Sequence, residues 1–253
     1  MNDIKTLAGL CQGSPVYIQT HDFPDPDAIA SAYGLQKLLA NYGVESVLCY
    51  DGKIDKLSAS KMLDAFRIAM SPYRCLVEGM RETDRIICVD TQKHGGNVTD
   101  FVGDEIACID HHPTFVPAEY RYQDIRITGA CATLVAEYYA LSGIEPDKDT
   151  ATALLYGMKV DTLQFTRGVT ELDIRMFGYL FPRCDQEKLS DLERNNMEFN
   201  DLKAYGAAIE NIELYDRVGF STIPFPCPDA LVAVISDFIL SLVEVEVAVV
   251  SSF

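Results

Sequence analysis

The residues best suited to chemistry fall into three short segments of this sequence. They are His21-Asp22-Phe23-Pro24-Asp25-Pro26-Asp27, Asp90-Thr91 and Asp110-His111-His112. The chain has four histidines, and three of them lie in these segments. Packed together without compensation, so many carboxylates would repel one another and shift their pKa values upward. A bound cation removes the conflict. The donors are imidazole and carboxylate, with no thiolate. That suits Mn²⁺, Mg²⁺ or Fe²⁺ in near-octahedral geometry better than a tetrahedral structural zinc. Five or six such ligands exceed what one catalytic ion needs, because positions must stay open for water and substrate. Two ions sharing a bridging carboxylate fit better, and ions about 3.5–4 Å apart can clamp a phosphoryl oxygen.

Strands and helices must deliver these residues to one place. Residues 15–20 (PVYIQT) are apolar and β-branched, and predict a buried strand that stops at His21. Ile29, Tyr33, Leu35, Leu38 and Leu39 recur at helical spacing, so a helix begins at Asp27, capped by Asp27 or a neighbour, and closes at Gly43. Further strands are predicted over 45–50, 85–89, 106–109 and 120–127. The third of the five ends at Asp90 and the fourth at Asp110. Helices are predicted over 57–70, 130–141, 150–160 and 171–180. Residues 188–214 are polar and helix-prone and read as a connecting segment. Three prolines bar a helix over 220–228. A helix over 230–242 and a strand over 243–250 follow. Strands alternating with helices give an α/β fold, a parallel sheet with both faces covered. In such sheets ligands collect at the carboxyl ends of the strands, where the three segments lie.

The chain has 253 residues, 48% of them hydrophobic and 23% charged, so it is globular rather than disordered. Its net charge is −17, which argues against a broad grip on duplex DNA. A small anionic substrate at one local cationic site remains compatible with it. The eight cysteines are scattered without a C-x-x-C pair, which points to reduced core thiols. The start, MNDIKTLAGLCQGSP, lacks the pattern of a secretory signal. The apolar run 230–250 is interrupted by Asp237, Glu244 and Glu246, so no membrane span is expected. The cytoplasm is the expected location.

Around these segments Asp22 reads as a solvated loop acid, and Gly95-Gly96 as a turn. His94 lies in a polar loop close to Asp90. Thr162 and Thr166 read as ligand contacts or helix caps. Arg167 is a candidate phosphate contact, since its guanidinium fork matches phosphate.

HDFPDPDAIAS resembles the H-x-x-x-D-x-D opening motif of the DHH phosphoesterases, and Asp90 their isolated second aspartate. Asp110-His111-His112 resembles the triplet that names the family. GACATLVAEYY (129–139) and GMKVDTLQF (157–165) resemble its later motifs, with Asp161 as the last acid. The order holds from about residue 15 to 180. The form is similar to the nanoRNase / pAp phosphatase and cyclic-di-AMP phosphodiesterase branch, and also to family II inorganic pyrophosphatases. The resemblance implies His21, Asp25 and Asp90 on one metal. It implies Asp27, Asp90, His111 and Asp161 on the other, with Asp90 bridging. Asp110 would support the site, and His112 would face the substrate phosphate as donor or acid. The ions would lower the pKa of a bridging water toward neutrality, and the hydroxide would attack phosphorus in line.

The resemblance also implies an organisation. A catalytic domain over 1–185 is followed by a helical linker over 186–214. Residues 215–253 then read as the beginning of a smaller C-terminal substrate domain, without its Gly-rich G-G-G-H-type segment. In that truncated form metal binding should survive, and a Val-rich edge over 243–250 would favour association, a homodimer being the simplest form. The expected activity is a manganese-dependent phosphoesterase acting on short oligoribonucleotides, pAp or cyclic dinucleotides. The alternatives are a pyrophosphatase-like hydrolase and a non-catalytic module that holds nucleotide and metal.

Overall fold

Residues 3–194 and 197–253 are described by a computed structural model. The chain forms two units, one of residues 1–54 with 58–194, the other of residues 55–57 with 195–253.

The first unit opens with α1 (Ile4–Leu10), β1 (Val16–Gln19), α2 (Pro26–Ala40), β2 (Ser46–Tyr50), α3 (Leu57–Phe66) and β3 (Met70–Pro72). It continues with β4 (Arg85–Val89), β5 (Asp104–Asp110), β6 (Tyr122–Ile125), α4 (Cys131–Ser142), α5 (Lys148–Asp161), α6 (Glu171–Leu180) and α7 (Gln186–Glu193). The six strands form one parallel sheet in the order β3-β2-β1-β4-β5-β6.

The strand side chains alternate between two cores, as a period of two requires. Val16, Ile18, Ile87, Val89, Ala107 and Ile109 join the larger core with residues of all seven helices. Ile86, Cys88 and Cys108 face a smaller core with Met80 and Phe101, covered by loops and a single 3₁₀ turn, Tyr73–Cys75. The cysteines are free thiols. Among the described residues the β4–β5 and β5–β6 crossovers hold no helix.

Two short elements, α1 and β3, go beyond the sequence reading. The helix expected over 57–70 stops at Phe66 because Arg67 turns left-handed (φ 53°), and the chain then pairs as β3.

The stretch expected as a helical linker over 186–214 contains two helices, α7 and α8 (Asp201–Glu210). α7 buries Leu189 and Leu192 in the larger core. α8 buries Ala204 and Ala208 in the core of the second unit. That unit continues with β7 (Glu213–Tyr215), β8 (Val218–Ile223), α9 (Asp229–Ile239) and β9 (Val247–Ser252). Its sheet has the order β7-β8-β9, with β8–β9 parallel. The Val-rich strand expected over 243–250 is therefore β9, paired along one side, and Val243–Glu246 precede it. Among the described residues no helix is long and apolar enough to cross a membrane.

Candidate metal centre

The sheet order puts the chemistry in one place. β1, β4 and β5 are neighbours, and the chain reverses its direction of travel across the sheet between β1 and β4. A crevice opens at such a reversal, at the carboxyl ends of the strands. His21 follows β1, Asp90 follows β4, and Asp110 to His112 end and follow β5.

Asp25 caps α2, accepting from the amides of Asp27 (3.0 Å) and Ala28 (3.2 Å), with Pro26 at the first helical position. Asp27 does not cap its own helix. Its carboxylate accepts from the amides of Cys131 (2.7 Å) and Ala132 (3.0 Å) in the first turn of α4, whose own cap residue, Ala130, has no side chain to offer. Asp161 ends α5. That helix can approach the start of α2 because Gly157 lacks a Cβ, which would stand 2.8 Å from the Ala30 Cβ and 3.1 Å from the Asp27 Cα. Asp90 itself is left-handed (φ 59°), a conformation aspartate tolerates better than bulky residues.

Three groups of donor atoms, each within 4.8 Å of one another, result: His21, Asp25 and Asp90; Asp27, His111 and Asp161; and Asp90, His111 and His112. Asp90 joins the first two. His21 Nε2 lies 3.7 Å from its Oδ2, and His111 Nε2 lies 3.3 Å from its Oδ1. His111 Nε2 is also 3.5 Å from Asp161 Oδ2 and 3.9 Å from Asp27 Oδ2. The other nitrogen of each of these histidines is held by backbone, Nδ1 of His21 by Asp22 O (2.8 Å) and Nδ1 of His111 by Thr128 O (3.0 Å). A partner on Nδ1 fixes the ring and leaves Nε2 to face the carboxylates.

The electrostatics are those of a site built for cations. Burial raises Asp27 well above the usual carboxylate range; Asp90 and Asp161 add to the rise and His111 opposes it. Burial likewise raises Asp90 and Asp161. Burial alone would lower the histidines, but the carboxylates outweigh it and lift His21 to about 9 and His111 to about 11. Asp90 Oδ1 is buried without a hydrogen-bond partner. An orphaned anionic oxygen between two imidazoles, in a cluster of four carboxylates, fits a divalent cation on each side of Asp90.

His112 is set apart from the buried set, its side chain 52% exposed. Its Nδ1 lies 2.9 Å from Asp110 Oδ1, which also accepts from the His111 amide (2.8 Å), while Oδ2 accepts from Gln92 Nε2 (2.7 Å). Burial pushes Asp110 up, but the hydrogen bonds from His112 and Gln92 outweigh it and leave it below the ordinary value. The Asp110 hydrogen bond raises His112 in turn. Asp110 and His112 border a cleft of about 310 Å³, whose other walls include Gln92, His94, Gly95 and Phe115.

Of the other sequence candidates, His94 lines the same cleft and Arg167 stands beside Asp161. Arg167 donates to the main-chain oxygen of Asp161 (3.0 Å) and is exposed. His94 pairs with Asp100 (2.6 Å). Thr162 is buried and caps the end of α5 through Met158 O and Phe165 N. Asp22 is not a solvated acid, because its carboxylate accepts from the amide (3.1 Å) and hydroxyl (2.9 Å) of Thr99 and ties two rim loops together. Gln92 escaped the sequence reading; a single amide in a polar loop gives no signal until its partner is known.

Residues 15–158 match the DHH family, N-terminal domain. The chain belongs to the DHH family. An uncharacterized protein of Methanocaldococcus jannaschii is 30% identical to this DHH chain over 207 residues, 78% of the chain and 41% of that protein. A probable manganese-dependent inorganic pyrophosphatase of Shouchella clausii is 30% identical over 57% of the chain and 47% of its own length. The cyclic-di-AMP phosphodiesterase of Geobacillus thermodenitrificans is 27% identical over 62% of the chain and 26% of its own length. The chain thus matches less than half the length of each of these curated relatives. A solved exopolyphosphatase-related protein from Bacteroides fragilis shares the fold at a TM-score of 0.75 with 18% identity, covering 96% of this chain and 76% of that one. The α/β architecture with its parallel sheet is therefore shared with that solved protein and lies within the DHH family.

Proposed function

We propose that this chain hydrolyses phosphate esters of small nucleotides, in the manner of the nanoRNase / pAp phosphatase branch, with two divalent cations, manganese first among them. One observation carries the reading. Asp90 turns one oxygen toward His21 and the other toward His111, and the second oxygen is buried with nothing to bind. His21, Asp25 and Asp90 would hold one ion. Asp27, Asp90, His111 and Asp161 would hold the other.

When bound, such a pair supplies Lewis acidity toward a phosphate ester and a nucleophile at neutral pH. The protein's own groups do the rest. Asp27 is kept in orientation by two α4 amides, and His21 and His111 by main-chain oxygens. Asp110, kept ionised, accepts a hydrogen bond from Nδ1–H of His112 and favours its protonated ring, whose Nε2–H can then be offered to a phosphoryl or leaving oxygen. Asp110 can do this because Gln92 and the His111 amide fix it.

The cleft beside His112, about 310 Å³, supports a substrate with an organic group next to its phosphate. The net charge of −17 supports a short substrate, because a long polyanion needs many cations to neutralise it. The name of the Geobacillus relative, a cyclic-di-AMP phosphodiesterase, points the same way for that protein. The similarity to a probable inorganic pyrophosphatase supplies the second reading, hydrolysis of pyrophosphate.

A substrate panel tests both. The chain, freed of metal with EDTA and reloaded with Mn²⁺, is offered dinucleotides, pAp, cyclic-di-AMP and pyrophosphate. Hydrolysis of one or more nucleotides that EDTA abolishes is expected. Cleavage of pyrophosphate alone would replace the nucleotide reading with the second one. Full activity in excess EDTA would overturn both.

A further inference from the structure

We infer that Asp173 is a positioning residue for the cation that Asp27, His111 and Asp161 would hold; this rests on the metal-centre reading above. Asp173 lies in the first turn of α6 and is 0% exposed. Its Oδ2 accepts from the Gly129 amide (2.9 Å), the Thr170 amide (2.7 Å) and the Thr170 hydroxyl (2.6 Å). Its Oδ1 accepts from the Thr133 hydroxyl. The Thr170 contacts form a capping box that closes α6. The other two have nothing to do with α6. They hold the segment from Thr128 to Thr133 at the start of α4, the Gly129 amide sharing its peptide unit with Thr128 O.

That segment carries the groups that aim two of the expected ligands. Thr128 O holds Nδ1 of His111, and the Cys131 and Ala132 amides hold both oxygens of Asp27. The segment is gripped from both sides, by Asp27 and His111 at the mouth of the site and by Asp173 behind it. The third ligand is tied in through Gly129. A Cβ there would lie 2.6 Å from Thr162 Cγ2 and 3.0 Å from the Asp173 carboxylate, so only glycine lets α5 and α6 close on this turn beside Asp161.

The arrangement needs a carboxylate. Four donors converge on two oxygens, and every lone pair used accepts. Asparagine would offer one oxygen and aim an amide at donors it cannot satisfy. Asp173→Asn should therefore loosen the segment and misaim Asp27 and His111 together, and it should spare the cation held by His21 and Asp25.

The test is Mn²⁺ titration of the full chain by calorimetry and by the electron paramagnetic resonance spectrum of the bound ions. Far-UV circular dichroism and thermal melts provide the check on folding. The wild type is expected to bind two ions with a spin-coupled spectrum. Asp173→Asn should bind one with affinity within about twofold and the other at least tenfold more weakly, with the coupled signal reduced. Thr133→Val removes one donor from Asp173 and keeps its shape, and should weaken the same ion by a smaller factor. If Asp173→Asn does not fold, Thr133→Val decides alone. Unchanged affinities for both ions in the folded variants, or an equal loss at both, would overturn the inference and leave the metal-centre reading intact. A wild type that binds no pair of ions would remove that reading itself.

Discussion

His111 Nε2 stands 3.3 Å from Asp90 Oδ1, and that oxygen is buried with no hydrogen bond to receive. An acceptor in this state costs about 1–3 kcal/mol, and a charged one more. The cost makes sense where a cation is to be bound. Asp90→Asn removes one negative charge from the cluster and keeps the shape, and asparagine accepts the left-handed backbone. The metal-free variant should melt higher, by about 2–4 °C for each kcal/mol gained in a chain of this size. It should also lose the paired manganese and its activity. A metal-free variant that melts lower and retains both ions would show that Asp90 has been given the wrong role.

Proton release on metal binding has a definite sign. Without metal, His21 titrates near 9 and His111 near 11, both raised by the surrounding carboxylates after burial has pulled the other way. Both are therefore protonated at pH 7, and a cation must displace those protons. Manganese affinity should rise steadily from pH 6 to 9, with protons released. Calorimetry in two buffers of different ionisation enthalpy counts them. No proton release at pH 7 would contradict these raised values.

His112 should matter to turnover more than to metal. His112→Gln is expected to lower kcat about 100- to 10,000-fold, the range for loss of a general acid, with manganese binding nearly unchanged. Asp110→Asn weakens the hydrogen bond that raises His112, so the alkaline limb of the rate profile should move to lower pH. A loss of manganese that matches the loss of rate would instead make His112 a ligand.

Leu163, Gln164 and Phe165 are all left-handed, at φ 46°, 58° and 63°. This conformation costs about 1–2 kcal/mol per residue for anything but glycine. Gln164 is exposed, so little contact is lost with its side chain. Gln164→Gly should raise stability by about 1 kcal/mol, read from urea unfolding, after allowance for the freer unfolded chain. A destabilised variant would mean that the Gln164 side chain is needed where it stands.

Much of this was legible in the residues. Strand ends were marked by apolar runs stopping at His21, Asp90 and Asp110, and the donor types pointed to a divalent cation. What periodicity misread were segments whose burial depends on distant partners. Residues 186–193 look polar and connecting, yet α7 buries Leu189 and Leu192 against α5 and its neighbours, and Tyr156 donates to Leu192 O. The pair Thr170 and Asp173 forms the capping box of α6, which the sequence reading did not single out. Its grip on Gly129 and Thr133 has no local signature.

The sequence by itself determined which groups can bind a cation and that each sits where a strand or helix ends, because backbone periodicity and side-chain chemistry are local properties. Only the tertiary structure decided that β1, β4 and β5 are neighbours and that the amides of α4 aim Asp27. It likewise decided that Asp90 turns an oxygen to each histidine. Strand order and helix approach follow from how whole faces pack, and no short stretch of chain carries that information.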